Sequence, residues 1–159
     1  MSHAEGAGSA GGGFASLVDL GHRVADTITR FGTPLALLAL RLPIAIVFWR
    51  SGRTKVEGWN IFAVNDVQYL LFREELGLSF PELMAHVTAV AEYVLPILLV
   101  LGLFTRRGAL GMLTMTMVIQ LFVFPDAWFT AHMFWATILF AVVVLGPGAI
   151  SLDRLLFRP

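Results

Sequence analysis

Four apolar stretches, each long enough or nearly long enough to cross a bilayer as a helix, occupy most of this 159-residue chain. Too few polar residues remain to cover all four as the core of a soluble protein. The stretches run over residues 33–52, 82–104, 108–124 and 130–145. Thr33 followed by Pro34 reads as an N-cap with proline at the first helical position. Pro125-Asp126 stops the third stretch, and Gly146-Pro147-Gly148 stops the fourth. A hydrocarbon core takes ~20 mostly apolar residues per helix, so the last two sit at the short limit. The expectation is an all-α integral membrane four-helix bundle spanning residues 33–156. Composition agrees: 57% of residues are hydrophobic and 14% charged, against roughly a quarter charged in soluble domains.

The flanks follow from the same reasoning. Residues 1–13 are mostly Gly, Ala and Ser, with too little apolar surface to pack, so a disordered tail is expected over 1–16. No apolar run follows a basic start there, so no cleavable signal peptide is expected. Residues 17–31 place Leu17, Leu20, Val24, Ile28 and Phe31 at helical spacing, with Asp19, Arg23, Asp26 and Arg30 on other faces. Beside a membrane span, such an N-terminal amphipathic helix belongs in the headgroup layer. A second amphipathic stretch, residues 62–76, reads as a short outer-surface helix. Arg23, Arg30, Arg106, Arg107, Arg154 and Arg158 fall on the side of the N-terminus. Arg50, Arg53, Lys55 and Arg73 fall on the other, offset by Glu57, Asp66, Glu74 and Glu75. This asymmetry places both termini in the cytoplasm.

The 11 basic and 11 acidic side chains balance, which gives no electrostatic footprint for nucleic acid. The chain has no cysteine, so it carries no thiol–disulfide chemistry, thiolate metal site or iron–sulfur cluster of its own. No phosphate loop, dinucleotide fingerprint or metalloprotease helix motif is present.

Ionisable side chains inside a span are costly and mark function or pairing. Arg41 and Glu92 are the two that stand out. Counted from outer helix ends at Gly52 and Glu82, both lie roughly 15 Å deep at 1.5 Å per residue. Equal depth on antiparallel neighbours predicts a buried ion pair between them. Pro96 cannot bond the Glu92 carbonyl four residues earlier, which predicts a kink and a free acceptor. Nearer the outer surface, Arg50, His86, Tyr93, Gln120 and His132 form a candidate polar pocket; interfacial anchoring and interhelical hydrogen bonds are the alternative. His86 and His132 each have a methionine nearby, Met84 and Met133, but their spacing matches no ligand pattern and no metal is assigned. Trp49, Trp59, Trp128 and Trp135 read as an interfacial aromatic belt.

These residues carry a family resemblance. Arg41, Phe48, Ser51-Gly52 and Lys55, then Glu92 ahead of Gly102-Leu103-Phe104-Thr105-Arg106, resemble the DoxX family in order. Gly146-Pro147-Gly148 with Ser151-Leu152-Asp153 is similar to its C-terminal signature. The stretch from Ile119 to Trp128 with His132 resembles one bacterial subgroup, whose members lie beside copper-handling peptide operons. The resemblance implies a multi-pass protein of the bacterial inner membrane, associated with redox or stress-related electron transfer and with a redox partner protein. It adds Lys55 to the candidate pocket and makes Arg41, Lys55, Glu92 and Asp153 recurring polar positions, with no catalytic role fixed. A quinone bound between helices is the leading expectation. A non-enzymatic scaffold or accessory subunit, including one of a copper-handling system, is the alternative. Whether the chain is an enzyme, and whether it forms a homo-oligomer in the bilayer, stays open at this point.

Overall fold

The computed structural model describes residues 9–58, 60–75 and 80–157. Residues 1–8 of the expected tail, Trp59 and Leu76 lie outside them. Among the described residues six α-helices follow in order: α1 (Ser9–Lys55), α2 (Asp66–Leu70), α3 (Pro81–Leu101), α4 (Thr105–Phe122), α5 (Met133–Leu145) and α6 (Leu152–Leu156). A wide helical turn, Leu71–Glu75, extends α2; a tight turn, Pro125–Ala127, and a wide one, Trp128–His132, lead into α5. No strand occurs among the described residues beyond a single antiparallel bridge between Val56 and Val64.

The helix boundaries depart from expectation at the start. Helix begins at Ser9, inside the stretch expected to be disordered, and Thr33-Pro34 lies within α1 rather than opening a new helix. Proline removes one backbone hydrogen bond. With helix-forming sequence on both sides, losing that one bond costs less than ending one helix and nucleating another.

The chain forms two compact units, divided between Ala36 and Leu37. In the first, Leu17, Leu20, Val24, Ile28 and Phe31 are all exposed. Arg30 lies over the Phe31 ring, 5.7 Å from its centre.

The second unit is built inside out relative to a water-soluble domain. Many of its exposed large side chains are apolar, among them Leu83, Val87, Ile97, Leu121, Phe134 and Phe140, while Arg41, Glu92, Thr105, Thr116, Gln120 and His132 are buried. That pattern is stable only when the surroundings are lipid. Three stretches, within α1, α3 and the run from Pro125 to Leu145, are long and apolar enough to cross a membrane. The protein is therefore an all-α membrane protein. α4 opens with Arg106 and Arg107, which lowers its hydropathy.

Lipid gives helices no hydrophobic drive to associate, so close packing and polar contacts must hold them. One cluster joins Ile44, Ala45 and Phe48 of α1 to Leu99, Ala109, Met112, Leu139 and Val142. A second joins Val56, Val64 and Phe72 to Ala85, Ala89 and Tyr93. Trp49 stacks edge-on against Tyr93 at 4.9 Å, and Trp135 against Phe48 at 6.3 Å. These two tryptophans pack against the bundle rather than serving as belt residues alone.

Arg41 does not pair with Glu92. Its side chain is fully buried and donates to the backbone carbonyls of Leu37, Ile150 and, at 3.5 Å, Leu99. Leu99 lies in the last turn of α3, whose carbonyls form the negative end of the helix dipole. The guanidinium is thus held by a helix terminus and a loop, with the Asp153 carboxylate adding Coulombic attraction in place of Glu92. Gly102, with φ of +68°, leaves the room: a Cβ there would strike the Arg41 guanidinium and Ser151. At the start of α4, Phe104 takes the N-cap position and offers no side-chain acceptor. Asp153 substitutes, accepting the Phe104 and Thr105 N–H groups at 2.7 and 2.8 Å, while its own N–H bonds the Gly102 carbonyl.

Candidate functional site

At the other end of the second unit, α1 closes on α3 at Gly52. A Cβ there would stand 3.2 Å from the Glu92 Cβ and 3.3 Å from both the Glu92 carbonyl oxygen and the Tyr93 ring. This approach carries the last turn of α1 over Glu92, and the Glu92 carbonyl that Pro96 cannot bond lies against Gly52. Lys55 Nζ donates to both Glu92 carboxylate oxygens, at 2.5 and 2.6 Å, and to Ser51 Oγ at 3.0 Å. Glu92 is 1% exposed and Lys55 13%.

Helix direction explains why Lys55, and not Arg41, meets Glu92. Cα–Cβ bonds tilt toward a helix's N-terminus. Glu92 on α3 leans toward the Pro81 end, and Lys55 on α1 leans down toward it. Arg41, on the same helix, leans in the same direction as Lys55, which for it leads away from Glu92. It also sits 14 residues before the end of α1, whereas Glu92 is 11 beyond the start of α3, a mismatch of about 4.5 Å.

The pair forms part of the wall of a cavity of about 510 Å³. Met84, Thr88 and Glu92 line it from one face of α3 at four-residue spacing, and Met115 and Ile119 from α4. Gln68 lines it too, with a buried Oε1 that has no hydrogen-bond partner among the described residues. Across the cavity stands His132, 3% exposed and packed on Trp135. Gln120 Nε2 donates to the Pro125 carbonyl, so its oxygen faces the imidazole, 2.7 Å from Nδ1. Nδ1 must then carry the proton, leaving Nε2 as the histidine's remaining polar atom.

Of the expected pocket residues, Lys55 and His132 line this cavity and Gln120 orients His132. Arg50 is exposed and stands apart from it. His86 bonds the Glu82 carbonyl at 2.8 Å and lies against the Tyr69 ring, in keeping with the anchoring alternative. Tyr93 packs in the second cluster with its hydroxyl buried and unpartnered among the described residues. Seven-residue spacing put His86 and Tyr93 on one face of α3, but that face meets α2 and Trp49 rather than the cavity. Among the described residues no three His, Asp or Glu side chains converge.

The DoxX family model matches residues 36–133, well over half of the chain. The chain belongs to the DoxX family. The DoxX match contains Arg41, Lys55, Glu92, Gln120 and His132, whereas Asp153 lies beyond it. Inner membrane protein YphA of Escherichia coli (strain K12) is 32% identical, over 76% of this chain and 90% of its own length. An uncharacterized protein of Haemophilus influenzae is 29% identical, over 79% of this DoxX chain and 85% of its own. No solved structure matches.

Proposed function

We propose that the cavity binds a small apolar molecule bearing hydrogen-bonding oxygens, a quinone or quinol head group, in the service of membrane redox chemistry. One observation carries this reading: a buried glutamate with its lysine partner, and a buried histidine, share one largely apolar cavity. Apolar walls with a few placed polar groups are the general form of a small-molecule site. The polar groups suit the ligand. The Thr88 hydroxyl can donate to a carbonyl oxygen, and the unpartnered Gln68 Oε1 can accept from a hydroxyl. Reducing a quinone takes two electrons and two protons. His132 Nε2 can accept a proton and pass it on, and with no cysteine in the chain the electrons come from a redox partner protein.

The same reading includes four crossings, by α1, α3, α4 and α5, in the bacterial inner membrane. It keeps both termini in the cytoplasm. The arginine-free turn at Pro125–Ala127 then faces outward and Arg106, Arg107 and Arg154 face inward. The similarity to the Escherichia coli inner membrane protein supports the inner membrane.

Quinone extracted from the full chain purified in nanodiscs tests the reading. Wild-type protein retains quinone above the lipid background, and His132→Leu lowers retention roughly tenfold, the worth of one buried hydrogen bond. Equal retention by wild type and His132→Leu, or none above background, overturns it. The completeness of the Lys55–Glu92 pair favours a second reading, a non-enzymatic scaffold or accessory subunit, including one of a copper-handling system. In that case Lys55→Met lowers protein abundance while quinone stays at background in every variant.

A further inference from the structure

A second cavity, of about 780 Å³, opens at the opposite end of the bundle, where α3 ends and α4 begins. Arg106, Arg107 and Arg154 line it, together with Phe104, Phe157 and Asp153. The one carboxylate in this wall is already committed, since both Asp153 oxygens accept N–H groups from the start of α4. The three guanidiniums form no ion pair among the described residues. Two of them are held in place: Arg107 lies over the Phe104 ring at 5.5 Å, and a Cβ on Gly146 would stand 2.9 Å from the Arg106 guanidinium. Thr105, on the inner wall, keeps a buried Oγ1 without a partner among the described residues. The groove therefore holds unbalanced positive charge and an unused polar atom.

We infer that this groove binds the phosphate of an anionic phospholipid, with the guanidiniums on the phosphate oxygens. Phe104 and Phe157, whose rings lie 5.7 Å apart, flank the glycerol and upper acyl carbons. The lipid is favoured over other phosphate carriers because the groove lies at helix ends, where headgroups sit, and because its rim is aromatic. Arginine binds phosphate in a forked geometry, and basic pockets at the ends of membrane helices select anionic headgroups.

Native mass spectrometry of the full chain, taken from bilayers of phosphatidylcholine with phosphatidylglycerol, provides the test. Wild-type protein retains phosphatidylglycerol in preference to phosphatidylcholine. Arg106→Gln, Arg107→Gln and Arg154→Gln, tested singly because each side chain is exposed, each lower that preference roughly fivefold. Arg73→Gln, which lies far along the chain and is paired with Glu82, leaves it unchanged. Equal retention of the two lipids, or an unchanged preference in all three variants, overturns the inference. So does displacement of the lipid by inorganic phosphate at matched concentration, which would assign the groove to the free ion.

Discussion

Lys55 and Glu92 meet across two antiparallel helices, with both carboxylate oxygens within 2.6 Å of one ammonium. Neither residue can change alone without leaving a charge in the oil. Lys55→Met should therefore lower thermal stability in detergent by roughly 3–5 kcal/mol, as for other broken buried pairs. Adding Glu92→Gln should return most of that loss. Additive losses in the double mutant would deny the pair any coupling.

Arg41 answers to backbone carbonyls, and this yields an outcome opposite to that of an Arg41–Glu92 pair. Arg41→Lys keeps the charge but lacks the planar fork, and should cost about 1–3 kcal/mol through unsatisfied carbonyls. The exchange Arg41→Glu with Glu92→Arg should be no better folded than either single change, judged by melting temperature. Recovery in the exchanged protein would restore the carboxylate partner that the geometry denies.

At Gly52, α1 and α3 approach closely. Gly52→Val should push the helices apart, cost about 1–3 kcal/mol by overpacking, and loosen the grip of Lys55 on Glu92. A melting temperature equal to wild type would show that the helices have slack at this point.

The chain contains no cysteine, so single introduced thiols report topology cleanly. Asp126→Cys should react with a membrane-impermeant maleimide applied to intact cells, and Arg107→Cys only after the cells are opened. The reverse pattern would invert the proposed orientation.

The membrane class was legible in the sequence because hydropathy is a sum over many residues and survives errors at any one. The helix ends were less so. Thr33-Pro34 has the local chemistry of a start, but tertiary and flanking context carries α1 through it. That kind of error propagates: fixing the end of α1 at Gly52 left Lys55 outside the bilayer and made Arg41 look level with Glu92. The direction in which side chains lean along a helix would have separated them. The cavity was partly readable as well, since Met84, Thr88 and Glu92 form a stripe at helical spacing, and Ser51 and Lys55 another. The Asp153 contacts were not, because 48 and 49 residues separate them from their partners and no local pattern links the two.

That separation sets an order of assembly. During synthesis α4 forms before its first amides have their partner, since the carboxylate that will receive them emerges after α5 has been made and the chain has turned back. A chain halted just past Leu145 would hold every long helix and still lack the clasp on the α3–α4 turn. The bundle gains its full rigidity only when a residue translated well after α4 reaches back to a bend formed much earlier.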